Sequence, residues 1–326
     1  MNKTRRIING SIPIEERRYN ILTFPTHERY ETQLCKTGHN FFAFSAEGAK
    51  TWNTEQTPIP DNYYILKQNE IPTNIDFDFI LVQSKFGQFQ LSERIRQVLD
   101  VKRIVLEHTV PTNNFSEQQI NQLKQMIGDV NVFISEYSAE TWEIDHNTNV
   151  INHGIDIEVF NDNFLERQDY VLTVANDFVN RDYCLNYQGW RRVTDNLPVK
   201  LVGNTPGFSV SASSVEELAK EYNECGVYFN STTHSTIPMS LLEAMSCGCA
   251  VVSTATCEIP YVIENGKNGF ISNDENELRQ YIELLLQDKD LRKELGKNAK
   301  QTINEKYSEE DFIIKWNSLL DFHYEV

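Results

Sequence analysis

The residues whose types and spacing best suit chemistry lie within residues 231–270, which read STTHSTIPMSLLEAMSCGCAVVSTATCEIPYVIENGKNGF. The polar start of this stretch ends at Pro238, a residue suited to the first turn of a helix. A short apolar helix is predicted next, over 240–245. Backbone amides at a helix N-terminus have no intrahelical partner and carry partial positive charge. We therefore predict that this helix start binds an anion such as a diphosphate.

Glu243 follows in the same predicted helix and has two interpretations. A carboxylate there would repel a phosphate, but it could accept hydrogen bonds from the two hydroxyls of a neighbouring sugar diol. Ser240 and Glu243 also have the Ser-x-x-Glu spacing of a capping box, in which both side chains bind the helix's own backbone. The spacing alone favours the box.

The elements that must position these residues are those of α/β domains. The N-terminal half begins with a strand, a polar loop, a helix and a second strand, the order of a doubly wound domain. The loop contains His27, Glu28 and Arg29. Ligands of such sheets gather at the carboxyl ends of the strands, so these three residues are predicted to line a ligand site. His108 ends a strand predicted over 103–108 and is either structural or a ligand contact.

A second α/β domain is predicted from Tyr170 onwards, because short apolar strands again alternate with helical patterns. Its strands are predicted over 171–175, 198–203, 227–230 and 250–253. A last helix begins near Ser308 and carries apolar side chains suited to packing on another surface. Residues 1–18 are polar and are predicted to be a loosely packed lead-in.

The composition limits the class of protein. A chain of 326 residues can form two domains with substantial cores. Its net charge of −17 argues against tight nonspecific binding to nucleic acid or anionic lipid. No apolar run reaches the ~20 residues of a membrane span, and the N-terminus lacks the apolar core of a secretory signal. The six scattered cysteines are predicted to be reduced thiols, so we expect a cytoplasmic protein. Asp76-x-Asp78 precedes a strand and is interpreted as a turn, so no metal site is predicted.

Two motifs carry a family resemblance. The sequence PMSLLEAMSCGCAVVST, followed by IPYVIENGKNGFI, resembles the nucleotide-sugar half of GT-B glycosyltransferases, in particular the retaining family-4 enzymes. In that family a pair of glutamates lies eight positions apart, and the second binds the ribose of the donor. Glu243 matches the second glutamate, whereas Ser235 occupies the position of the first. Residues 149–156 resemble the hinge segment of the same family.

The resemblance implies an α/β fold of two Rossmann-like domains that face each other across a cleft. The first domain would be 1–152 and the nucleotide-sugar domain 153–306, with a helix at 307–326 that crosses back to the first domain. The residues implied in donor binding are Gly203, Phe208, Ser235, Pro238, Met239, Ser240, Leu241, Leu242 and Glu243. His27, Glu28 and Arg29 would lie on the acceptor side.

The resemblance also implies two catalytic residues. His108 matches a histidine that touches the donor sugar in the family. A departing diphosphate needs a cation or oriented amides, and Arg181, one residue out of register with the family's lysine, is the candidate cation. Arg191 and Arg192 are substitutes, and a surface salt bridge is the alternative role for these arginines.

The function implied is transfer of a sugar from a nucleotide-diphosphate sugar, with a UDP-sugar expected, to an acceptor hydroxyl. Retention of configuration and independence of metals and other cofactors belong to the same expectation. The expected acceptor is a saccharide or another hydroxyl compound. One alternative is a phage-type enzyme that glycosylates hydroxymethylated bases in DNA. A non-enzymatic alternative is a nucleotide-sugar-binding module that no longer transfers.

Overall fold

The computed structural model describes residues 3–54, 57–112, 114–163 and 166–325, and it divides into two compact units. The first comprises Met1–Asn152 and Glu310–Val326, and the second comprises His153–Glu309. Each unit contains one sheet in which every strand pairing is parallel. The predicted architecture of two Rossmann-like α/β domains is confirmed.

Short apolar runs form the strands, as expected for sheets that helices cover. The first unit contains β1 (Asn20–Thr23), β2 (Asn40–Ala43), β3 (Tyr63–Ile65), β4 (Phe79–Val82), β5 (Lys102–Glu107), β6 (Val130–Phe133) and β7 (Thr148–Val150). The second contains β8 (Gln168–Val174), β9 (Val199–Val202), β10 (Cys225–Asn230), β11 (Ala250–Ser253) and β12 (Phe270–Ile271).

Helices connect most of the strands along the chain. They are α1 (Lys3–Gly10), α2 (Glu28–Cys35), α3 (Gln88–Leu99), α4 (Glu117–Lys124), α5 (Glu136–Trp142), α6 (Asp182–Leu185), α7 (Tyr187–Val193), α8 (Val215–Glu224), α9 (Met239–Ser246), α10 (Ile259–Val262), α11 (Glu275–Gln287), α12 (Lys289–Lys306) and α13 (Glu309–Glu325). Within the part of the chain that the structure describes, no helix is both long enough and apolar enough to cross a membrane.

The strand order decides where ligands can gather. In the first sheet the order is β3-β2-β1-β4-β5-β6-β7, so the direction of winding reverses between β1 and β4. A reversal of this kind opens a crevice at the carboxyl ends of the two strands. In the second sheet the order is β12-β11-β10-β8-β9, with the fully buried β10 at its centre. The loops after β8, β9, β10 and β11 therefore meet at one edge of that sheet.

The prediction of a loose lead-in at residues 1–18 is wrong, because this segment contains helix α1, which is tied to the first sheet. Asp78, at the start of β4, is fully buried, and a buried carboxylate requires a partner. Arg5 supplies two hydrogen bonds of 2.7 Å to its carboxylate oxygens, and the amide of Asn20 donates a third of 2.8 Å. The pairing therefore accounts for the burial of the Asp78 carboxylate.

Helix α13 completes the core of the first unit. Phe312, Trp316 and Leu320, spaced by four residues on one face, are buried there. The indole nitrogen of Trp316 donates a hydrogen bond of 3.2 Å to the hydroxyl of Tyr30 on α2. The last segment of the chain is therefore part of the first unit, although the second unit directly precedes it in sequence.

Replacement of Trp316 by alanine tests this role of α13. Trp316→Ala should lower the free energy of unfolding by about 3–5 kcal/mol, because it leaves a cavity in the core. Phe322→Ala is the matched control on the same helix, since Phe322 is 62% exposed, and it should change stability by less than about 0.5 kcal/mol. Urea denaturation measures both values. Equal, small effects of the two substitutions would contradict the packing of α13 described above.

Candidate active site

The start of helix α9 reaches the surface of the second unit at the carboxyl edge of its sheet. Pro238 is the N-cap, and the amides of Leu241 and Leu242 bond to its carbonyl oxygen at 3.1 and 3.4 Å. The amides of Met239 and Ser240 precede those bonds and have no partner within the helix. Pro238, Met239 and Ser240 are half-buried, whereas Leu241 and Leu242 are fully buried. The first two amides are therefore the ones placed to meet an anion.

The capping-box interpretation of Ser240 and Glu243 is wrong. The N-cap is Pro238, so Ser240 is the second residue of the helix rather than its cap. The hydroxyl of Tyr228, on β10, donates a hydrogen bond of 2.9 Å to the oxygen of Ser240. Ser240 therefore takes part in a tertiary contact with β10 rather than in a capping box.

Glu243 lies further along the same helix and is not exposed at the surface of the second unit. Its side chain is fully buried, and the hydroxyl of Tyr222, at the end of α8, donates a hydrogen bond of 3.0 Å to its Oε2. In this structure the carboxylate contacts protein. Nothing in this geometry tests a contact with ribose directly, so the ribose role of Glu243 stays a prediction.

The loop that leads into α9 is fixed on both sides by hydrogen bonds. The amides of Thr233 and His234 donate to the carbonyl oxygen of Cys184 at 2.8 and 3.1 Å. The hydroxyl of Thr256, after β11, donates to the carbonyl oxygen of Thr232 at 2.9 Å. Ser235 lies half-buried within this anchored loop. The segments that follow β8 and β11 consequently hold the start of α9 in place.

The loop after β9 brings an aromatic side chain to the same edge. Gly203 has a φ of +122°, and a Cβ on it would lie 2.2 Å from the carbonyl oxygen of Ala175, so only glycine fits. The loop then closes on itself through hydrogen bonds between Thr205 and Ser209. It presents Phe208, 62% exposed, with its ring centroid 5.7 Å from that of Tyr187.

The candidate cations of the second unit differ in their surroundings. Arg192 forms an ion pair of 2.6 Å with Glu275, which is the surface salt bridge that the sequence left open. The guanidinium of Arg191 lies 5.9 Å from the ring of Tyr187. Arg181 is exposed and immediately precedes α6, at the edge where the loops meet. Of the three, Arg192 is the weakest candidate for a phosphate contact, because a carboxylate already binds its guanidinium.

The first unit brings His27 and His108 together, although they were predicted from different segments. Their ring centroids are 4.6 Å apart, and the ring of Tyr30 lies 4.8 Å from that of His108. Nε2 of His108 is 3.1 Å from Oε1 of Gln83. Both histidines line a cavity of about 150 Å³ at the carboxyl ends of β1, β4 and β5, which includes the point where the strand order reverses.

The other two residues predicted on the acceptor side are placed differently. Glu28 is buried, forms an ion pair of 2.9 Å with Lys50 and accepts the amide of Asn53 at 3.3 Å. Neither Glu28 nor Arg29 is among the described residues that line the cavity. A neighbouring carboxylate, Glu31, instead accepts the amide of His27 at 3.0 Å and fixes the backbone of this loop.

Sequence reasoning missed a buried ion pair beneath the same cavity. The ammonium of Lys85 lies 3.6 Å from Oε2 of Glu107, 3.0 Å from the carbonyl oxygen of Leu123 and 3.8 Å from the ring centroid of Trp142. Burial lowers the pKa of Lys85 and raises the pKa of Glu107. Oε1 of Glu107 accepts the amide of Thr109 at 3.0 Å, so the pair fixes the backbone next to His108. A single lysine after a strand gives no sequence signal for such a pair.

Residues 207–302 match the family described as "Glycosyl transferases group 1". The match includes Phe208, the start of α9 and Glu243. The predicted enzyme class, a glycosyltransferase, is confirmed.

Comparisons over most of the chain agree with this match. An uncharacterized glycosyltransferase of Methanocaldococcus jannaschii is 23% identical over 285 residues, which cover 72% of each chain. A sucrose-phosphate synthase from Thermosynechococcus elongatus has a similar structure, with a TM-score of 0.74, 13% identity, and coverage of 94% of this chain and 100% of that one. The Anabaena protein HepE, solved in complex with UDP and glucose, gives a TM-score of 0.73 at 12% identity, with coverage of 94% and 100%. The GT-B fold predicted from the sequence is thereby confirmed.

The buried ion pair predicts a non-additive effect on stability. Lys85→Met and Glu107→Gln should each lower the free energy of unfolding by about 3–5 kcal/mol, because each leaves one charge buried without its partner. The double variant should lose clearly less than the sum of the two. Lys124→Met is the control, because its partner Glu143 is 73% exposed and such pairs are worth at most about 1 kcal/mol. Additive losses, measured by urea denaturation, would show that the two groups do not interact.

Proposed function

We propose that this glycosyltransferase moves a sugar from a nucleotide-diphosphate sugar, with UDP as the first candidate nucleotide, to a hydroxyl group of an acceptor. The observation that carries the proposal is the start of α9. Met239 and Ser240, the first two residues of this helix, are half-buried there, at the carboxyl edge of a parallel sheet and inside the segment that matches group 1 glycosyltransferases. The complexes of HepE with UDP and with UDP-glucose support UDP as the nucleotide.

The donor would bind through its diphosphate. We place the phosphates on the amides of Met239 and Ser240, where the positive end of the helix favours negative charge. Negative charge develops on the diphosphate as the bond to the sugar breaks, and oriented donors stabilise it. Arg181 would add a cation at this point. Phe208, which is exposed in the loop after Gly203, would contact the base.

The acceptor would bind in the first unit, at the cavity lined by His27 and His108. We propose retention of configuration, with the leaving phosphate assisting removal of the proton from the acceptor hydroxyl. His108 would contact the transferred sugar, and it is held for that role by Gln83. No step of this mechanism requires a metal ion, because amides and an arginine supply the positive charge.

A DNA acceptor is less well supported by the first unit. It would require the cluster of Arg94, Arg96, Lys102 and Arg103 to face phosphates. Arg96 and Arg103 instead form ion pairs of 2.7 and 2.6 Å with Asp129 and Glu93. The ammonium of Lys102 donates to the carbonyl oxygen of His323 at 2.6 Å. These contacts occupy three of the four cations within the protein itself, so a saccharide or other hydroxyl compound is the better candidate.

A panel of nucleotides and nucleotide sugars tests the proposed function. UDP and at least one UDP-sugar should raise the melting temperature of the protein, because ligands stabilise the state that binds them. The same UDP-sugar should then be hydrolysed or transferred in the presence of a chelator, and NMR of the product should show the donor's anomeric configuration. Binding without turnover, with any acceptor tried, would favour the non-enzymatic binding module. Stabilisation by no nucleotide would contradict the proposal.

The proposed ribose contact of Glu243 can be separated from its contact with Tyr222. If the carboxylate binds ribose, Glu243→Gln should weaken UDP binding by about 1–3 kcal/mol. Tyr222→Phe removes the hydroxyl that contacts Oε2 and leaves the carboxylate, so it should bind UDP at least as tightly as the parent protein. Isothermal titration calorimetry measures both. If Glu243→Gln binds UDP normally, Glu243 has only a structural role within the second unit.

A further inference from the structure

The cavity of the first unit has an aromatic wall that the donor chemistry does not use. The ring of Phe86, 61% exposed, stacks on that of Phe115, with the centroids 5.7 Å apart and the planes at 24°. Both rings line the cavity together with His27 and His108. Two stacked aromatic rings at the mouth of a cavity with polar walls are typical of a ligand pocket.

The wall is fixed in place before any ligand arrives. The amide of Phe86 donates to the hydroxyl oxygen of Ser84 at 3.1 Å, and the amide of Gln88 donates to the carbonyl oxygen of Phe86 at 2.9 Å. Gly87, between them, has a φ of +77°, which lets α3 begin directly after Phe86. The side chain of Gln88 donates to the hydroxyl of Thr26 at 2.8 Å and so links this turn to the loop of His27.

Other residues of the cavity lining are polar. Gln83 and His108 present an amide and an imidazole that can donate to or accept from hydroxyl groups. His27 adds a second, exposed imidazole. The cavity thus has one face for an apolar surface and another for several hydroxyls. A pyranose ring has both, because its C–H bonds form an apolar face and its hydroxyls project from the rim.

The charged residues of the lining suit a neutral occupant. The carboxylate of Glu107 and the ammonium of Lys85 are paired with each other, and the ammonium also faces Leu123 and Trp142. The pair therefore offers no net charge to a carboxylate or a phosphate. The volume of about 150 Å³ is that of a cavity able to hold one six-membered ring.

We infer that this cavity binds one neutral pyranose ring of the acceptor, with the apolar face of the ring on Phe86 and its hydroxyls toward His27, His108 and Gln83. The inference rests on the proposed function in that the bound ring is the acceptor of the transferred sugar. Phe86 is then the residue that selects a saccharide over other hydroxyl compounds.

Binding of simple glycosides tests this inference without any donor. The probes are the methyl α- and β-glycosides of glucose, galactose, mannose and N-acetylglucosamine, with uridine and adenosine as competing planar ligands, observed by saturation-transfer NMR. At least one glycoside should bind, with the strongest transfer to its ring C–H protons. Phe86→Ala should weaken that binding roughly five- to tenfold, as expected for loss of an aromatic contact. Phe86→Trp should keep it within about threefold.

Two controls separate this test from that of the donor site. Val98→Ala, at an 83% exposed position on α3, should leave glycoside binding unchanged, and UDP binding should be the same in all variants. Glycoside binding that depends on Phe86 supports the inference even if no nucleotide binds. The inference is overturned if no glycoside binds, if Phe86→Ala binds it normally, or if a nucleoside displaces it from the Phe86 wall. A protein that binds UDP-sugar but no glycoside would retain the proposed donor and lose the saccharide acceptor.

Discussion

The proposed donor site depends on one constraint, which is that helix α9 cannot bond its own first amides. An α-helix leaves its leading N–H groups without acceptors, and in a buried position this would be costly. The second unit places the start of α9 at the carboxyl edge of its sheet, where Met239 and Ser240 are half-buried rather than enclosed. A polar ligand can reach them there. The proposed binding of a diphosphate follows from this one geometric fact.

Buried contacts within the second unit hold that helix in position. The guanidinium of Arg167 donates to the carbonyl oxygens of Tyr222 and Cys247 at 2.7 and 2.5 Å, and so clamps the ends of α8 and α9 together. Helix α12 packs so closely that a Cβ at Gly296 would lie 2.1 Å from the carbonyl oxygen of Gly248. Amides fixed in this way need little reorganisation when charge develops on a leaving group, which is the condition for effective electrostatic stabilisation.

The elements that follow from local pattern were predictable from the sequence. Residues 250–253 form the buried strand that their β-branched run predicted, and Pro238 lies at the start of the helix. His27 and His108 were each predicted next to the end of a strand, and the structure places them after β1 and β5. Long-range partners could not be predicted. Ser240 contacts Tyr228 on another element instead of capping its own helix. Arg192 pairs with Glu275, which lies on α11, far along the chain.

The same limit explains the residues that were missed or placed differently. Helix α1 is ordered by Asp78, and the pairing of Lys85 with Glu107 joins two strands' ends, so neither has a signature within a window of the sequence. Glu243 fits the family pattern, yet its burial against Tyr222 depends on how α8 packs on α9. Local sequence patterns therefore predicted where the candidate site lies, whereas tertiary packing determines which of its side chains reach the surface.

The most direct test of the central claim removes one amide and keeps the helix. Proline is tolerated at the first position of a helix and has no N–H, so Met239→Pro should preserve α9 while deleting one donor to the diphosphate. Its UDP affinity should fall about 10- to 100-fold, the range for loss of a hydrogen bond to a charged group. Met239→Ala, which loses the side chain and keeps the amide, should bind UDP within about threefold of the parent. Equal UDP affinities of the two variants, with both folded, would contradict the account.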